Sequence, residues 1–198
     1  MYEKAPESIT LNGKEYKIET DFRFWAEFTE TVEKDKRKAS DMFLRLAMRC
    51  KIPLTNENLS HIIKDFYYKA LEASSATGKS GGKSKKVVDF VNDAPLISAA
   101  FLAQYGINLE TESLHWWDFI KLFFGLSEEH KISRIIGYRG ADTSKMSKGQ
   151  AAFYKEMQQI YKIGGESHVS GGRRDFAADI ERIKRRKEEA VRQQTEQS

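Results

Sequence analysis

The sequence predicts a mainly α-helical fold that begins with a short β-hairpin and ends in a mobile, charged C-terminal extension. An Asn-Gly pair near the N-terminus separates two short segments with strand-like alternation, which is typical of a hairpin. From residue 20 to residue 163, apolar side chains recur at helical spacing between N-capping residues, prolines and glycines. Residues 164–198 are highly charged and carry few large apolar side chains, so they cannot form a core of their own.

The composition limits the number of domains. The 198 residues are 40% apolar and 31% charged, which is enough for one domain with a core but cramped for two. We place this domain at residues 8–163 and treat 164–198 as a linker and a charged, helical tail that a partner must order. There is no signal peptide and no run of 18 apolar residues, so we expect a cytoplasmic protein that does not bind membranes. The single cysteine, Cys50, excludes an internal disulfide and is predicted to be a buried apolar residue.

The predicted hairpin has Asn12 and Gly13 at its turn. A type I′ turn needs positive φ at both central positions, and Asn and Gly tolerate this best. The register then places four apolar side chains on one face, namely Ile9, Leu11, Tyr16 and Ile18. Because a two-stranded hairpin is not stable by itself, we expect the helix that follows directly to cover this face.

Three helices are predicted between the hairpin and residue 73. The first is capped by Thr20 or Asp21 and carries its apolar residues at i, i+3, i+4 and i+7. The second spans about 39–50 and ends before Pro53. The third spans about 55–73 and has the same helical periodicity.

The chain after the third helix is predicted to form a loop and four more helices. Residues 74–86 are rich in Ser, Gly and Lys and lack large apolar side chains, so we expect a flexible loop. Asp93 and Pro95 mark the start of the next helix, and Gly106 marks its C′ position. The last three helices are expected at about 113–124, 127–140 and 150–163.

The basic residues that give the chain its net charge of +4 are concentrated in the predicted loop and in the C-terminal tail. Residues 74–88 contain four lysines and no acid, and residues 173–198 contain eight basic and six acidic side chains. In the tail the acids stand near the basic residues at helical spacing, which is typical of a solvated helix rather than a phosphate-binding surface. Nucleic-acid binding is therefore kept only as an alternative.

The sequence contains no recognisable pattern for catalysis or for cofactor or metal binding. Residues 78–84 carry Gly-Lys-Ser twice. A phosphate-binding loop also needs a glycine five residues before the glycine of the Gly-Lys pair, and the two corresponding positions hold Ala73 and Thr77. The four histidines are scattered and have no metal-ligand spacing with Cys50. There is no Gly-x-Ser-x-Gly motif for a nucleophile. We therefore expect no catalytic residue, no cofactor and no metal, and predict that the chain is not an enzyme.

The segment 114–119, Leu-His-Trp-Trp-Asp-Phe, is the most distinctive string in the sequence. Adjacent tryptophans on a helix point about 100° apart, so one can be buried while the other reaches a partner. Packing in the core explains the pattern, and a partner-binding aromatic surface is the alternative. In that alternative the contact residues are Trp116, Phe119 and Phe123. His115 is expected to be a structural hydrogen-bonding group.

Several segments between about residues 9 and 145 resemble the bacteriophage gene-product-fifteen family. The opening of the family is matched by residues 11–16 and by Asp21-Phe22-Arg23 with Trp25 and Phe28. The middle of the chain is the more specific match in order and spacing, and it comprises Asp89-Phe90, Asp93-Ala94, Ile97, Ala100-Phe101, Gln104-Tyr105-Gly106-Ile107, Leu109, Leu114-His115-Trp116-Trp117-Asp118-Phe119, Gly125-Leu126 and Tyr138-Arg139.

The resemblance implies a tail assembly chaperone of a long-tailed phage, a prophage or a tail-derived particle. Such a chaperone coats helical segments of the tape measure protein before tail-tube subunits polymerise around them. The tape measure protein is then the expected partner, and other tail assembly chaperones, tail-tube proteins and a second copy of the chain are further candidates. The protein would act in the cytoplasm of the bacterial host and be absent from the mature particle. A nucleic-acid-binding phage regulator and a structural tail or connector component are the alternatives.

Overall fold

A computed structural model describes residues 4–34, 36–74 and 86–164, and within these ranges the chain is mainly helical with one two-stranded hairpin, as predicted. The strands are β1 (Ser8–Leu11) and β2 (Lys14–Lys17). The helices are α1 (Phe22–Lys34), α2 (Lys36–Cys50), α3 (Asn56–Ile62), α4 (Lys69–Ser74), α5 (Ala94–Tyr105), α6 (Trp116–Phe124), α7 (Lys131–Gly140) and α8 (Lys148–Ile160). A π-helical turn, Ile63–Tyr68, joins α3 to α4, and a 3₁₀ turn, Thr143–Lys145, precedes α8.

Two predicted segments fall largely outside this description. The flexible loop expected at 74–86 is described only at its ends, and the charged tail is described only up to Gly164. The chain divides into two compact units, of which the first comprises Met1–Ser84 and Val88–Ser133 and the second comprises Lys85–Val87 and Arg134–Ser198. The single domain expected at 8–163 stays a prediction. Among the helices described, none combines the length and the apolar character needed to cross a membrane.

The hairpin has the predicted turn and register. Asn12 and Gly13 have φ values of 50° and 77°, and Ile9 stands opposite Tyr16 across the two strands. Leu11 is buried on the expected face. One expectation was wrong: β1 lies against α3 rather than against the helix that follows directly. The reason is that the apolar face of α1 is occupied by α2 and α6.

Helices α1 and α6 start side by side because the first residue of each helix donates a backbone hydrogen bond to the segment that precedes the other helix. The N–H of Phe22 donates to the carbonyl of Leu114 at 3.0 Å, and the N–H of Trp116 donates to the carbonyl of Thr20 at 2.7 Å. Phe22 and Trp116 are the first residues of α1 and α6, whose N–H groups have no acceptor within their own helix. This short antiparallel pairing therefore fixes the position of α6 next to α1.

Side chains complete the two helix starts in the same way. Asp21 Oδ1 accepts from the N–H of Arg23 at 2.8 Å, and His115 Nδ1 accepts from the N–H of Trp117 at 3.1 Å. The other ring nitrogen of His115, Nε2, lies 3.0 Å from the carbonyl of Pro6. Since Nδ1 accepts a hydrogen bond, Nε2 carries the proton and donates it. His115 is thus the structural hydrogen-bonding group that its position predicted.

Two helices start later than the periodicity suggested. Helix α6 starts at Trp116 rather than near 113, because the backbone before it pairs with the start of α1. Helix α7 starts at Lys131 rather than near 127. The N–H of Ser127 donates to Gln104 Oε1 at 2.9 Å, and His130 Nε2 lies 2.8 Å from the same oxygen. This amide on α5 therefore holds residues 127–130 in a turn.

The predicted third helix contains an irregular turn that periodicity did not show. Thr55 caps α3 by accepting from the N–H of Asn58 at 3.2 Å, as expected for its N-terminus. Between Ile63 and Tyr68 the backbone becomes π-helical. The indole Nε1 of Trp117 donates to the carbonyl of Phe66 inside this turn at 3.0 Å. A side-chain donor inserted into the ladder of backbone hydrogen bonds is a known cause of such local distortion.

Aromatic side chains build the core of the first unit. The π-helical turn directs both Phe66 and Tyr67 inward, and both are buried. Tyr67 stacks on Trp116 with ring centroids 5.6 Å apart and planes 7° apart. Trp25 contacts both Phe66 and Tyr67, at centroid distances of 5.2 and 5.6 Å. The core therefore joins α1, the π-helical turn and α6.

Cys50 is buried at the end of α2, as predicted, and should resist labelling in the folded chain. The backbone N–H of Glu19 donates to its Sγ at 3.2 Å, and burial raises the pKa of the thiol. Only the thiolate reacts, so a raised pKa and lack of access both slow the reaction. We expect a disulfide reagent at pH 8 to label the native chain about a hundredfold more slowly than the chain in guanidinium. Equal rates would show that Cys50 is accessible.

The described part of the second unit contains most of α7, the 3₁₀ turn and α8. Arg139 is buried and donates through Nε to the carbonyl of Tyr161 at 2.5 Å and through Nη1 to that of Val87 at 3.1 Å. Gln158 Nε2 donates to two carbonyls at the end of α7. Ser147 and Gln150 form a capping box at the start of α8. That start lies two residues earlier than the predicted position.

Candidate functional site

The three aromatic residues predicted as a contact surface lie in the interior. Trp116, Phe119 and Phe123 are 0%, 2% and 5% exposed. Phe119 stacks between Phe22 and Phe101, with centroid distances of 4.7 and 5.3 Å. The expectation of an exposed aromatic surface at these residues is therefore corrected, and core packing, the other interpretation of the same pattern, describes them.

The adjacent tryptophans do not divide between core and surface. Trp116 and Trp117 are both buried, because the segment before α6 is held against α1 and α6 has packed helices on two sides. Helix α6 contacts α1 and α5 as well as α4. Trp117 donates a hydrogen bond to the carbonyl of Phe66 in the π-helical turn. Trp116 contacts the same turn by stacking on the ring of Tyr67.

Buried carboxylates in the first unit bind backbone N–H groups. Glu30 Oε1 accepts from the N–H of Phe90 at 3.1 Å, which ties α1 to the segment before α5. Asp89 Oδ1 accepts from the N–H of Asn92 at 2.9 Å, and Asp93 Oδ2 accepts from the N–H of Asp89 at 2.9 Å. In the described ranges, no group of three or more His, Cys, Asp or Glu side chains has an arrangement that could hold a metal ion. These acids shape the turn that leads into α5.

Helix α5 differs from the other helices in its composition. Its twelve residues contain no charged side chain, and the next charge on its C-terminal side is Glu110. One face is buried through Ile97, Ala100 and Phe101. A helix that is apolar all round is normally surrounded by protein. Apart from Ser98 and Gln104, α5 has apolar side chains on both sides, and among the described residues only the side of Ile97, Ala100 and Phe101 is covered.

The opposite side of α5 is an exposed apolar surface, which we call the outer face and define as Pro95, Ala99, Leu102 and Ala103. All four residues are exposed, and Leu102 is 54% exposed. Their spacing of four, three and one residues places them on one side of the helix. The outer face is the candidate functional site.

Contacts at the C-terminal end of α5 hold the outer face in a fixed orientation. Tyr105 Oη donates to the carbonyl of Leu122 at 2.8 Å, and Gln104 Nε2 donates to the carbonyl of Gly125 at 2.9 Å. Burial raises the pKa of the Tyr105 hydroxyl, which therefore remains a hydrogen-bond donor at neutral pH. Gly106 then ends the helix with a φ of 71°. Because these bonds attach α5 to α6 from one side, the outer face is kept turned away from α6.

An exposed apolar side chain elsewhere in the first unit has charged neighbours. Leu44 on α2 is 47% exposed, and Asp41 and Arg45 beside it on the helix are also exposed. Such isolated exposed leucines are common on soluble proteins and need no partner. Leu44 is therefore a suitable control for Leu102, since the two side chains have similar exposure but different surroundings.

The contact residues predicted from the sequence lie on α6, whereas the exposed apolar face of α5 was not predicted. The signal is the absence of Asp, Glu, Lys and Arg from residue 94 to residue 109. The sequence predicts this stretch only as a helix that starts at Asp93 and Pro95 and ends at Gly106. Without a polar face, one side of such a helix must expose apolar residues unless it is covered all round.

Comparison with known proteins assigns the chain to a family. The family model described as Bacteriophage Gp15 protein matches residues 1–163. No curated protein and no solved structure matches the chain significantly. The matched range contains both the string Leu114-His115-Trp116-Trp117 and the outer face of α5.

Proposed function

This chain belongs to the Bacteriophage Gp15 protein family, and from that premise we propose that it is a tail assembly chaperone. Membership makes it a bacteriophage protein and points to a structural or assembly role. In the proposal, the chain binds helical segments of the tape measure protein before tail-tube subunits polymerise around them. It performs no catalysis, acts in the cytoplasm of the bacterial host and is absent from the mature particle.

The outer face of α5 is the observation that best supports this proposal. An amphipathic helix can lay its apolar stripe against an exposed apolar surface. The α5 helix is about 18 Å long, at 1.5 Å per residue, so one helix against it buries less surface than a stable interface needs. A contact of that size is weak and reversible, which suits a chaperone that tail-tube subunits must displace.

Co-expression tests the proposed function. We expect the full chain to raise the soluble fraction of the tape measure protein of the same phage and to co-purify with it. The Leu102→Glu variant should lose most of this co-purification, because it places a charge on the apolar outer face. Leu44→Glu should behave like the unchanged protein. Both variants should show unchanged thermal unfolding, since both side chains are about half exposed.

Three results would contradict the proposal or favour an alternative. If the unchanged chain neither co-purifies with the tape measure protein nor raises its solubility, the chaperone function is wrong. Recovery of the chain at stoichiometric amounts in purified particles, measured by mass spectrometry, would favour a structural tail component. Tight binding to DNA or RNA that weakens steeply with salt would favour a regulator.

A further inference from the structure

We infer that the outer face of α5 binds a basic amphipathic helix, whose positive side chains lie at the C-terminal end of α5. This inference rests on the proposed function and specifies the chemistry of the partner. It depends on two independent features of the first unit. One is the uncharged outer face itself, and the other is a concentration of exposed acids around one end of it.

The sequence around α5 is strongly acidic in a chain that is basic overall. Between residues 88 and 130 there are seven carboxylates and a single basic side chain, Lys121, whereas the whole chain has a net charge of +4. Lys121 is itself engaged, since its Nζ lies 3.3 Å from Asp118 Oδ1. The segment 88–130, which carries the outer face, is therefore negative although the chain as a whole is positive.

Four of these acids are exposed on two loops at the C-terminal end of α5. Glu110 and Glu112 lie on the loop that leaves the helix, and Glu128 and Glu129 lie on the turn that is hydrogen-bonded to Gln104. The C-terminal end of a helix also carries the negative end of the helix dipole. The guanidinium of Arg23 also reaches the first loop, where Nη2 donates to the carbonyls of Leu109 and Glu112, but it is paired with Asp21. The exposed acids of the two loops and the helix dipole are all negative, so this end of α5 attracts positive charge.

The apolar outer face and the exposed acids beside it together favour a basic amphipathic helix as the partner. A nucleic acid would bring phosphates to exposed carboxylates, and the like charges would repel. A second copy of this chain would present an α5 that is itself uncharged and flanked by the same acids, so it would offer no compensating charge. A helix with an apolar stripe and lysines or arginines near one end matches both the outer face and the acids beside it.

Binding of designed peptides to the full chain tests this inference without the natural partner. The probe is an amphipathic helix of about 18 residues with an Ala/Leu stripe and lysines near one end, and its matched control has glutamates at the same positions. We expect the lysine peptide to bind about tenfold more tightly than the glutamate peptide at low salt. At about 0.5 M salt the preference should largely disappear, because exposed charges are then screened.

Variants of the chain separate the two features. Leu102→Gln, which removes the apolar side chain without adding charge, should weaken binding of the lysine peptide and of a peptide with glutamines at the charged positions, whereas Leu44→Gln should leave both unchanged. Neutralising three of the four acids with Glu110→Gln, Glu128→Gln and Glu129→Gln should remove most of the preference for lysine and leave the glutamine peptide bound as before. The matched control neutralises three exposed acids elsewhere in the first unit, with Glu7→Gln, Asp41→Asn and Glu57→Gln, and should keep the preference.

Three outcomes would overturn the inference. The first is equal affinity for lysine and glutamate peptides at low salt, and the second is a preference that the control triple variant loses equally. The third is self-association that Leu102→Glu abolishes, together with no peptide binding, which would assign the outer face to a second copy. Failure of co-purification with the tape measure protein while the lysine preference persists would reject the proposed function but keep the basic-helix site.

Discussion

Replacing Trp117 with alanine is expected to lower the free energy of unfolding by about 3–5 kcal/mol, the usual cost of removing a buried tryptophan. The side chain is 2% exposed. It contacts Phe66 with ring centroids 6.2 Å apart and donates from Nε1 to the carbonyl of the same residue. The substitution therefore leaves a cavity between α6 and the π-helical turn as well as removing a hydrogen bond. Denaturant unfolding followed by circular dichroism measures the loss.

The adjacent tryptophan provides a matched control that isolates the hydrogen bond. Trp116 is also buried, but its Nε1 has no hydrogen-bond partner among the described residues. Trp116→Phe thus removes ring volume and an unsatisfied donor, whereas Trp117→Phe removes ring volume and a satisfied donor. We expect Trp117→Phe to cost at least about 1 kcal/mol more than Trp116→Phe. An equal or greater cost for Trp116→Phe would show that the bond to the π-helical turn contributes nothing to stability.

The second large effect is expected at Arg139 in the second unit. Arg139→Met retains much of the apolar stem but removes charged donors to the carbonyls of Val87 and Tyr161. Hydrogen bonds from a charged group are stronger than neutral ones, and buried carbonyls left without a donor are costly. We expect the second unit to lose about 2–4 kcal/mol. Hydrogen exchange of the α8 amides should report this loss directly.

Arg134 gives the control for that substitution. It lies on the same helix, α7, and its side chain is exposed. Arg134→Met should change the exchange of the α8 amides by less than about 0.5 kcal/mol. Similar effects of the two substitutions would mean that the loss of positive charge on α7, rather than the hydrogen bonds of Arg139, controls the stability of this unit.

Local sequence signals predicted the ends of several elements correctly. Asn12 and Gly13 fixed the hairpin turn, because few other residues tolerate positive φ at both positions. Thr55 capped α3 and Gly106 ended α5 with a positive φ, as their positions predicted. In each case the physical cause acts within a few residues of the chain, so the sequence alone contains it.

Other features depend on residues that are distant in sequence. The late start of α6 follows from backbone pairing between Leu114 and Phe22, and the late start of α7 follows from the amide of Gln104. The π-helical turn accompanies the donation of a hydrogen bond by Trp117 to Phe66. Periodicity within one segment cannot show any of these, because each partner is supplied by another helix.

The string Leu114-His115-Trp116-Trp117 illustrates which properties the sequence alone determines and which depend on the tertiary structure. The sequence by itself identified the family and a helical fold with an N-terminal hairpin, because order, spacing and periodicity are properties of the chain. Only the tertiary structure decided that both tryptophans are buried and that the exposed apolar surface belongs to α5. Burial depends on which faces other helices cover, and an apolar side chain in the sequence is equally suited to a core or to a partner.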